Sequence, residues 1–304
     1  MFIDAHCDTA TAMLDNKKVL KKNDLHFDLT RAPKEHTQIF AAYIAPEYYE
    51  DPMSRTMAIL KTIKKEIEKK TNKAELCTNS AERAVAIENG NMPVFLSLEN
   101  AIAIQNKEDV KKIYDEGVRF VSLTWNDSNH LAGGVLDEED TGLSVLGRRM
   151  IYEMEKLGMI IDVSHLNDHS FWDVARVTNY PIIASHSCSR TICKNPRNLT
   201  DEQFKAICVK GGVVGINFYS KFLVSRGKAE IKHIVKHIDH FLKLGGENHI
   251  GLGSDFDGMD SPAVGLEGVE ALPKLIEAFR ANGYSQKLID KICYGNFERV
   301  MRLL

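Results

Sequence analysis

No apolar run in this chain reaches the length needed to cross a bilayer. The N-terminus has no basic region followed by an apolar stretch and a cleavage site, so a soluble cytoplasmic protein is expected. Charge of one sign is also missing. Lys and Arg number 39 against 42 Asp and Glu, and a formal net charge of −3 offers no electrostatic case for nucleic acid. The densest charge run, Lys61 to Lys73, mixes Lys with Glu at helical spacing and reads as a solvated helix face. The six cysteines, Cys7, Cys77, Cys188, Cys193, Cys208 and Cys293, form no Cys-x-x-Cys pair. They read as reduced thiols rather than as a disulfide framework. Low-complexity linkers and internal repeats are absent too, which argues against a modular chain.

What is present is a regular alternation. Over 304 residues, 44% of them apolar, short β-branched runs recur between segments of helical period. The runs are Phe2–Ala5, Gln38–Ile44, Pro93–Leu98, Val118–Thr124, Met159–Val163, Pro181–Ser185, Gly212–Asn217 and His249–Ser254. Helices are expected at Met53–Lys70, Ala81–Asn89, Lys107–Glu116, Leu143–Leu157, Asp168–Thr178, Asp201–Lys210 and Glu230–Leu244. Punctuation agrees with these bounds. Asp51-Pro52 reads as an N-cap followed by proline at the first helical position. Thr200 to Gln203 has capping-box spacing. Gly117, Gly158 and Gly245 fall just past helix ends.

Eight strands alternating with helices predict one α/β domain over residues 1–304, a TIM-type (β/α)8 barrel. Extra C-terminal helices near Glu267–Ala281 and Ser285–Leu303 would complete its wall. An open doubly wound sheet is the alternative, and it too would place ligands at strand ends. Gly251 and Gly253 sit inside a strand and open no helix, so they make no dinucleotide-binding fingerprint.

The polar residues fall where such a barrel would use them. His6 and Asp8 follow strand one, and alternation puts both on one side of the chain. Cys7, between them, points the other way into packing. Glu99 ends strand three, His165 strand five, His186 strand six and Asp255 strand eight. A single histidine or carboxylate at a strand end is ordinarily a loop residue or a helix cap. Six on one rim are different, because desolvating them together is costly without a compensating metal.

The set also exceeds what one catalytic zinc needs, namely three protein ligands and a water. It suits two metals sharing a carboxylate and a bridging hydroxide. Two divalent ions against Asp8, Glu99 and a hydroxide leave a positive centre for an anionic or carbonyl substrate. The prominence of imidazole favours zinc over magnesium, with manganese and cobalt as alternatives. Two other patterns read as bland. His233, His237 and His240 lack a partnering carboxylate and read as a surface stripe. Asp255-Phe-Asp-Gly258 has no phosphate loop or catalytic loop to make it kinase-like.

Several segments together resemble the membrane (renal) dipeptidase family of zinc peptidases. They are Asp-Ala-His6-Cys-Asp8-Thr, Ser-Leu-Glu99-Asn, Ile-Asp-Val-Ser-His165, Ala-Ser-His186-Ser and Gly-Ser-Asp255-Phe-Asp-Gly. Gly142-Leu-Ser, Pro196-Arg197-Asn198-Leu and Gly295-Asn-Phe-Glu-Arg-Val fit the same family, in order along the whole chain. The resemblance implies a zinc-dependent dipeptidase with two Zn²⁺ per chain. His6, Asp8 and Glu99 would hold one ion; Glu99, the bridge, would hold the other with His165 and His186. Arg197 would grip the free carboxylate of a dipeptide, a contact suited to a guanidinium fork. Asp255 would move a proton from the attacking water to the leaving amine. A homodimer without a membrane anchor is the implied form.

One position departs from the family. Relatives such as the renal enzyme carry a substrate-contacting histidine after strand four, where this chain reads Ser122-Leu-Thr-Trp125-Asn-Asp-Ser-Asn129-His130. Trp125 can pack on a substrate side chain but is a poor oxyanion donor, and Asn126, Asn129 and His130 stand nearby as replacements. Two other functions compete with a dipeptidase. One is a binuclear amidohydrolase acting on a cyclic amide or ester, whose mark would be a bridging lysine; no lysine occupies a predicted strand end. The other is a metal-retaining binding protein, for which Trp125 is the only argument.

Overall fold

The apolar runs assemble into one parallel sheet that closes on itself. A computed structural model describes residues 1–304. Its strands are β1 (Phe2–Cys7), β2 (His36–Tyr43), β3 (Ala74–Leu76), β4 (Met92–Glu99), β5 (Val118–Ser122), β6 (Ile160–Asp162), β7 (Ile183–Ala184), β8 (Val213–Ile216) and β9 (Ile250–Leu252). The order β2-β1-β9-β8-β7-β6-β5-β4 is closed by the pairing of β4 with β2. This is a TIM-type barrel of eight strands surrounded by helices, and each of the eight expected runs supplies one strand. Nearly every strand residue is buried, as the near-continuous apolar runs of a parallel sheet require.

Besides short turns and the one-turn helix Ser220–Leu223, one strand and one longer helix were not legible. Strand β3 pairs Leu76 with Val94, whose other flank already pairs with Gln38 of β2. It is therefore an addition beside the lower part of β4, and three residues carry no readable alternation. The helix Thr9–Asn16 follows β1 almost at once, with Asp8 as its N-cap and no side-chain capping bond to announce it.

Other local expectations hold. Asp51 accepts from Ser54 N–H at 3.3 Å. In the capping box Thr200 Oγ1 accepts from Gln203 N–H at 3.1 Å, and Gln203 Oε1 accepts from Thr200 N–H at 2.8 Å. Gly117, Gly158 and Gly245 all take positive φ.

The C-terminal segment does something other than complete the wall. Helix Pro273–Ala281 packs beside helix Ile231–Lys243, but helix Asn296–Met301 seals the amino-terminal end of the barrel. Phe297, Val300 and Met301 join an inner cluster with Ile3, Ile39, Phe95, Phe120, Ile160, Ile183 and Val213. Asn296 fixes the seal by donating from Nδ2 to the carbonyl of Ile250 at 2.8 Å. The barrel is thus plugged below, and its polar end is the opposite rim.

The histidine stripe is a correction. His237 is fully buried: Nδ1 accepts from Ser189 N–H at 3.0 Å, and Nε2 donates to the Leu223 carbonyl at 3.0 Å. His240 meets Asp201 at 2.7 Å, while His233 Nδ1 accepts from Glu230 N–H and caps the helix. The helical period places His237 on the same buried face as Ile234, Ile238 and Phe241.

Candidate metal centre and substrate cavity

At the carboxyl rim the six polar strand-end residues converge, all at most 7% exposed. Glu99 divides its two oxygens between two groups of partners. Oε2 lies 3.3 Å from His6 Nε2, while Oε1 lies 2.7 Å from His165 Nε2 and 3.9 Å from His186 Nε2. Asp8 Oδ2 approaches His6 Nε2 at 3.4 Å. Donor atoms of His6, Glu99 and His186 fall within 4.8 Å of one another, and so do those of His6, Asp8 and Asp255. Asp255 is thus near enough to be a further donor.

Whether these residues fit a metal can be tested on their unsatisfied atoms. His6 Nε2 and Asp8 Oδ1 are buried without a hydrogen-bond partner. The Nε2 atoms of His165 and His186 face each other at 2.9 Å. Their Nδ1 atoms are already engaged, with Asn126 Oδ1 at 2.9 Å and Ser185 Oγ at 2.7 Å. Two lone pairs so placed need a proton or a cation between them. A proton is disfavoured, because burial, with His6 and Arg197 nearby, holds both imidazoles well below the ordinary value. A metal ion fits; neutral imidazoles, carboxylates and orphaned donors are what it requires.

The carboxylates respond in the opposite sense. Burial, with Glu99 close by, pushes Asp8 up to about 7. Burial also raises Asp255 to about 7, against the opposing pull of His6. For His6, burial lowers the value, but Glu99 and Asp8 outweigh it and carry the imidazole well above 6.5. Two of the six are held in left-handed backbone, His165 at φ 72° and Asp255 at φ 65°. Such conformations in non-glycine residues persist where the surrounding fold imposes them.

Above this cluster opens a cavity of about 470 Å³ lined by Asp8, Glu99, His165, Arg197, Asp255 and Trp125 among others. Arg197, after β7, is 6% exposed, and its Nε has no partner. The guanidinium's only hydrogen bond is a long one, from Nη2 to the His186 carbonyl at 3.5 Å, and Phe222 lies 5.3 Å beneath it. A buried guanidinium so poorly paired has the chemistry to receive an anion. Across the cavity stand Tyr43, the last residue of β2, and Trp125, after β5, with ring centroids 5.3 Å apart. Trp125 also lies 6.3 Å from the His165 ring.

Two of the replacements considered for the family histidine do other work. Asn129 donates to the Leu123 carbonyl at 2.7 Å, and His130 Nε2 bonds the Ile104 carbonyl at 2.8 Å. Both pin the loop. Asn126 lines the cavity but spends Oδ1 on His165.

Sequence reasoning missed the residues behind the rim. Asn217 donates to Asp255 Oδ2 at 2.8 Å; its signal was a polar side chain ending an apolar run. Asp162 and Ser185 support His186 from below. Asp162 could have been noticed as a carboxylate inside the apolar run Ile160–Val163. Gly258 ends the Asp255-Phe-Asp-Gly segment, but nothing in that segment showed its purpose: a Cβ there would lie 2.1 Å from Asp8 Oδ2 and 2.6 Å from Asp255 Oδ1.

Fold and rim together define a metal-dependent hydrolase built on a TIM barrel. The family model described as membrane dipeptidase (peptidase family M19) matches residues 1–304, and the chain belongs to that family of metallo-dipeptidases. An uncharacterized protein in the pqqA 5′ region of Klebsiella pneumoniae is 35% identical over 83% of this chain and 97% of its own length. An uncharacterized dipeptidase of Schizosaccharomyces pombe is 33% identical over 90% of this chain and 73% of its own. A solved metallopeptidase from Rhodobacter sphaeroides, liganded with a phosphinate mimic of the dipeptide L-Ala-D-Ala, superposes with a TM-score of 0.90. It shares 27% identity, with 99% of this chain and 98% of that one covered. No helix of the chain is long and apolar enough to cross a membrane.

Proposed function

We propose that this dipeptidase hydrolyses dipeptides bearing a free C-terminal carboxylate, using two zinc ions bridged by Glu99. His6, Asp8 and Glu99 would hold one ion, and Glu99, His165 and His186 the other. The observation that carries this reading is the division of Glu99, with one oxygen toward His6 and the other toward His165. When bound, such a pair of ions polarises the scissile carbonyl and acidifies the attacking water.

The remaining work belongs to the chain. Arg197 offers its poorly paired guanidinium to the substrate carboxylate, which fixes the dipeptide in one direction. The residue on the amino side of the scissile bond then lies toward Tyr43 and Trp125, across the cavity, where Trp125 packs on its side chain. Asp255 accepts the proton from water and returns it to the leaving amine. Asn217, on Oδ2, leaves Oδ1 as the oxygen for that transfer. The dipeptide-mimic complex of the Rhodobacter sphaeroides relative is consistent with this substrate class.

Metal analysis of the purified protein, paired with a panel of L,L- and L,D-dipeptides and their C-terminal amides, tests the proposal. About two zinc per chain with cleavage of free-carboxylate dipeptides alone is the expected result. Two zinc with no dipeptide cleaved would favour the cyclic-amide or binding alternatives instead.

A further inference from the structure

Behind His186 lies a buried relay. Asp162, 3% exposed at the end of β6, accepts four hydrogen bonds. Its Oδ1 receives the backbone N–H of Ser164 at 2.9 Å and that of Ser185 at 3.0 Å. Its Oδ2 receives Ser122 Oγ at 2.8 Å and Ser185 Oγ at 2.5 Å. The same Ser185 Oγ lies 2.7 Å from His186 Nδ1.

The proton count in this chain has one solution. A serine hydroxyl holds a single hydrogen, and a carboxylate can only accept. Ser185 therefore donates toward Asp162, and its oxygen must accept from His186. That places the imidazole proton on Nδ1 and leaves the Nε2 lone pair aimed at Glu99 and His165. The geometry points to Asp162 as a positioning residue that sets the His186 tautomer through Ser185. This inference rests on the reading of His186 as a metal ligand. Partners of this kind commonly control ligand orientation and basicity. His165 receives the equivalent service directly, from Asn126 Oδ1.

The relay has a consequence that ordinary packing does not. In an Asp162→Asn variant the two backbone N–H groups hold the amide oxygen at the Oδ1 place. The NH₂ must then occupy the Oδ2 place and donate to Ser185. Of the two acceptors then open to the Ser185 hydroxyl, His186 Nδ1 at 2.7 Å is far nearer than Ser164 Oγ at 3.4 Å, so the hydroxyl turns to the imidazole, which moves the imidazole proton to Nε2 and blocks the ligating atom. Removing Ser185 as well cuts the reversed relay and frees the imidazole to choose its tautomer.

The experiment is zinc competition against a chromogenic chelator for the wild-type protein, Ser185→Ala, Asp162→Asn and the double variant. Thermal melts of the metal-free proteins confirm folding. Ser185→Ala should weaken the binding of one of the two zinc ions about 10-fold and Asp162→Asn about 100-fold, within the range such partners exert. The double variant should bind tighter than Asp162→Asn alone. A double variant no tighter than Asp162→Asn overturns the relay, because a purely structural Asp162 predicts no recovery. If Asp162→Asn does not fold, Ser185→Ala decides, and unchanged zinc affinity there overturns it equally. Wild-type protein that binds no zinc would instead defeat the functional reading on which the relay rests.

Discussion

Asn217 and Asp255 are joined by one hydrogen bond, Nδ2 to Oδ2 at 2.8 Å, between the ends of neighbouring strands β8 and β9. Asp255 is held in left-handed backbone at φ 65°, and the bond fixes which of its oxygens faces the cavity. A carboxylate so constrained is suited to repeated proton transfer at one place.

Replacement of Asp255 by Asn should therefore leave the protein folded and zinc-loaded while lowering kcat by about 10²–10⁴. Metal content and steady-state kinetics measured on the same preparation decide it. An Asp255→Asn enzyme with near-normal kcat would remove the proton-transfer role.

Arg197 has a different expected signature. Its guanidinium is buried, and its Nε lacks a partner, so Arg197→Ala should raise KM by about 10²-fold with a smaller change in kcat. Arg197→Lys should recover only part of the loss, since an ammonium cannot make the forked contact. Discrimination against the C-terminal amides should shrink in both variants, because the carboxylate contact is what distinguishes the two kinds of substrate.

Gly258 is needed for space. A methyl group at this position would intrude to 2.1 Å from Asp8 Oδ2. Gly258→Ala should displace Asp8, lower zinc occupancy and reduce turnover while leaving the circular dichroism of the barrel unchanged. Full occupancy in that variant would show that the loop yields without disturbing Asp8.

His237 makes stability depend on pH. Burial lowers its value from 6.5 to about 4, against the small opposing effect of the Leu223 carbonyl. Between those values the unfolded chain binds the proton and the folded one does not. The folded state therefore loses stability as pH falls from 6.5 toward 4, by about 3 kcal/mol in all. Urea unfolding across this window should show a shallower pH dependence for His237→Gln than for the wild type. Parallel curves would refute the assignment.

The positions of His6, Asp8, Glu99, His165, His186 and Asp255 were legible because each ends an apolar run. Their convergence required only the closure that eight such runs imply. The His233–His240 stripe failed for a related reason. A helical period shows that residues share a face, but what packs against that face depends on elements distant in sequence; here they are the Ser189 and Leu223 backbones. Strand β3 was too short to show a period, and helix Thr9–Asn16 began without a capping bond.

From the sequence alone come the alternation that makes a barrel, the residue types that gather on its rim and the departure at Trp125. These are local properties, fixed by periodicity and by the chemistry of side chains at strand ends. Only the tertiary structure decided that Glu99 splits its oxygens between His6 on one side and His165 with His186 on the other. It also decided that Arg197 is buried without an adequate partner, and that Asp162 reaches His186 through a serine. Those relationships depend on ångström-scale distances between strands, set by barrel closure and by tight contacts such as Gly253 against the Ser185 carbonyl, where a Cβ would come within 1.8 Å. No local pattern along a chain encodes such distances.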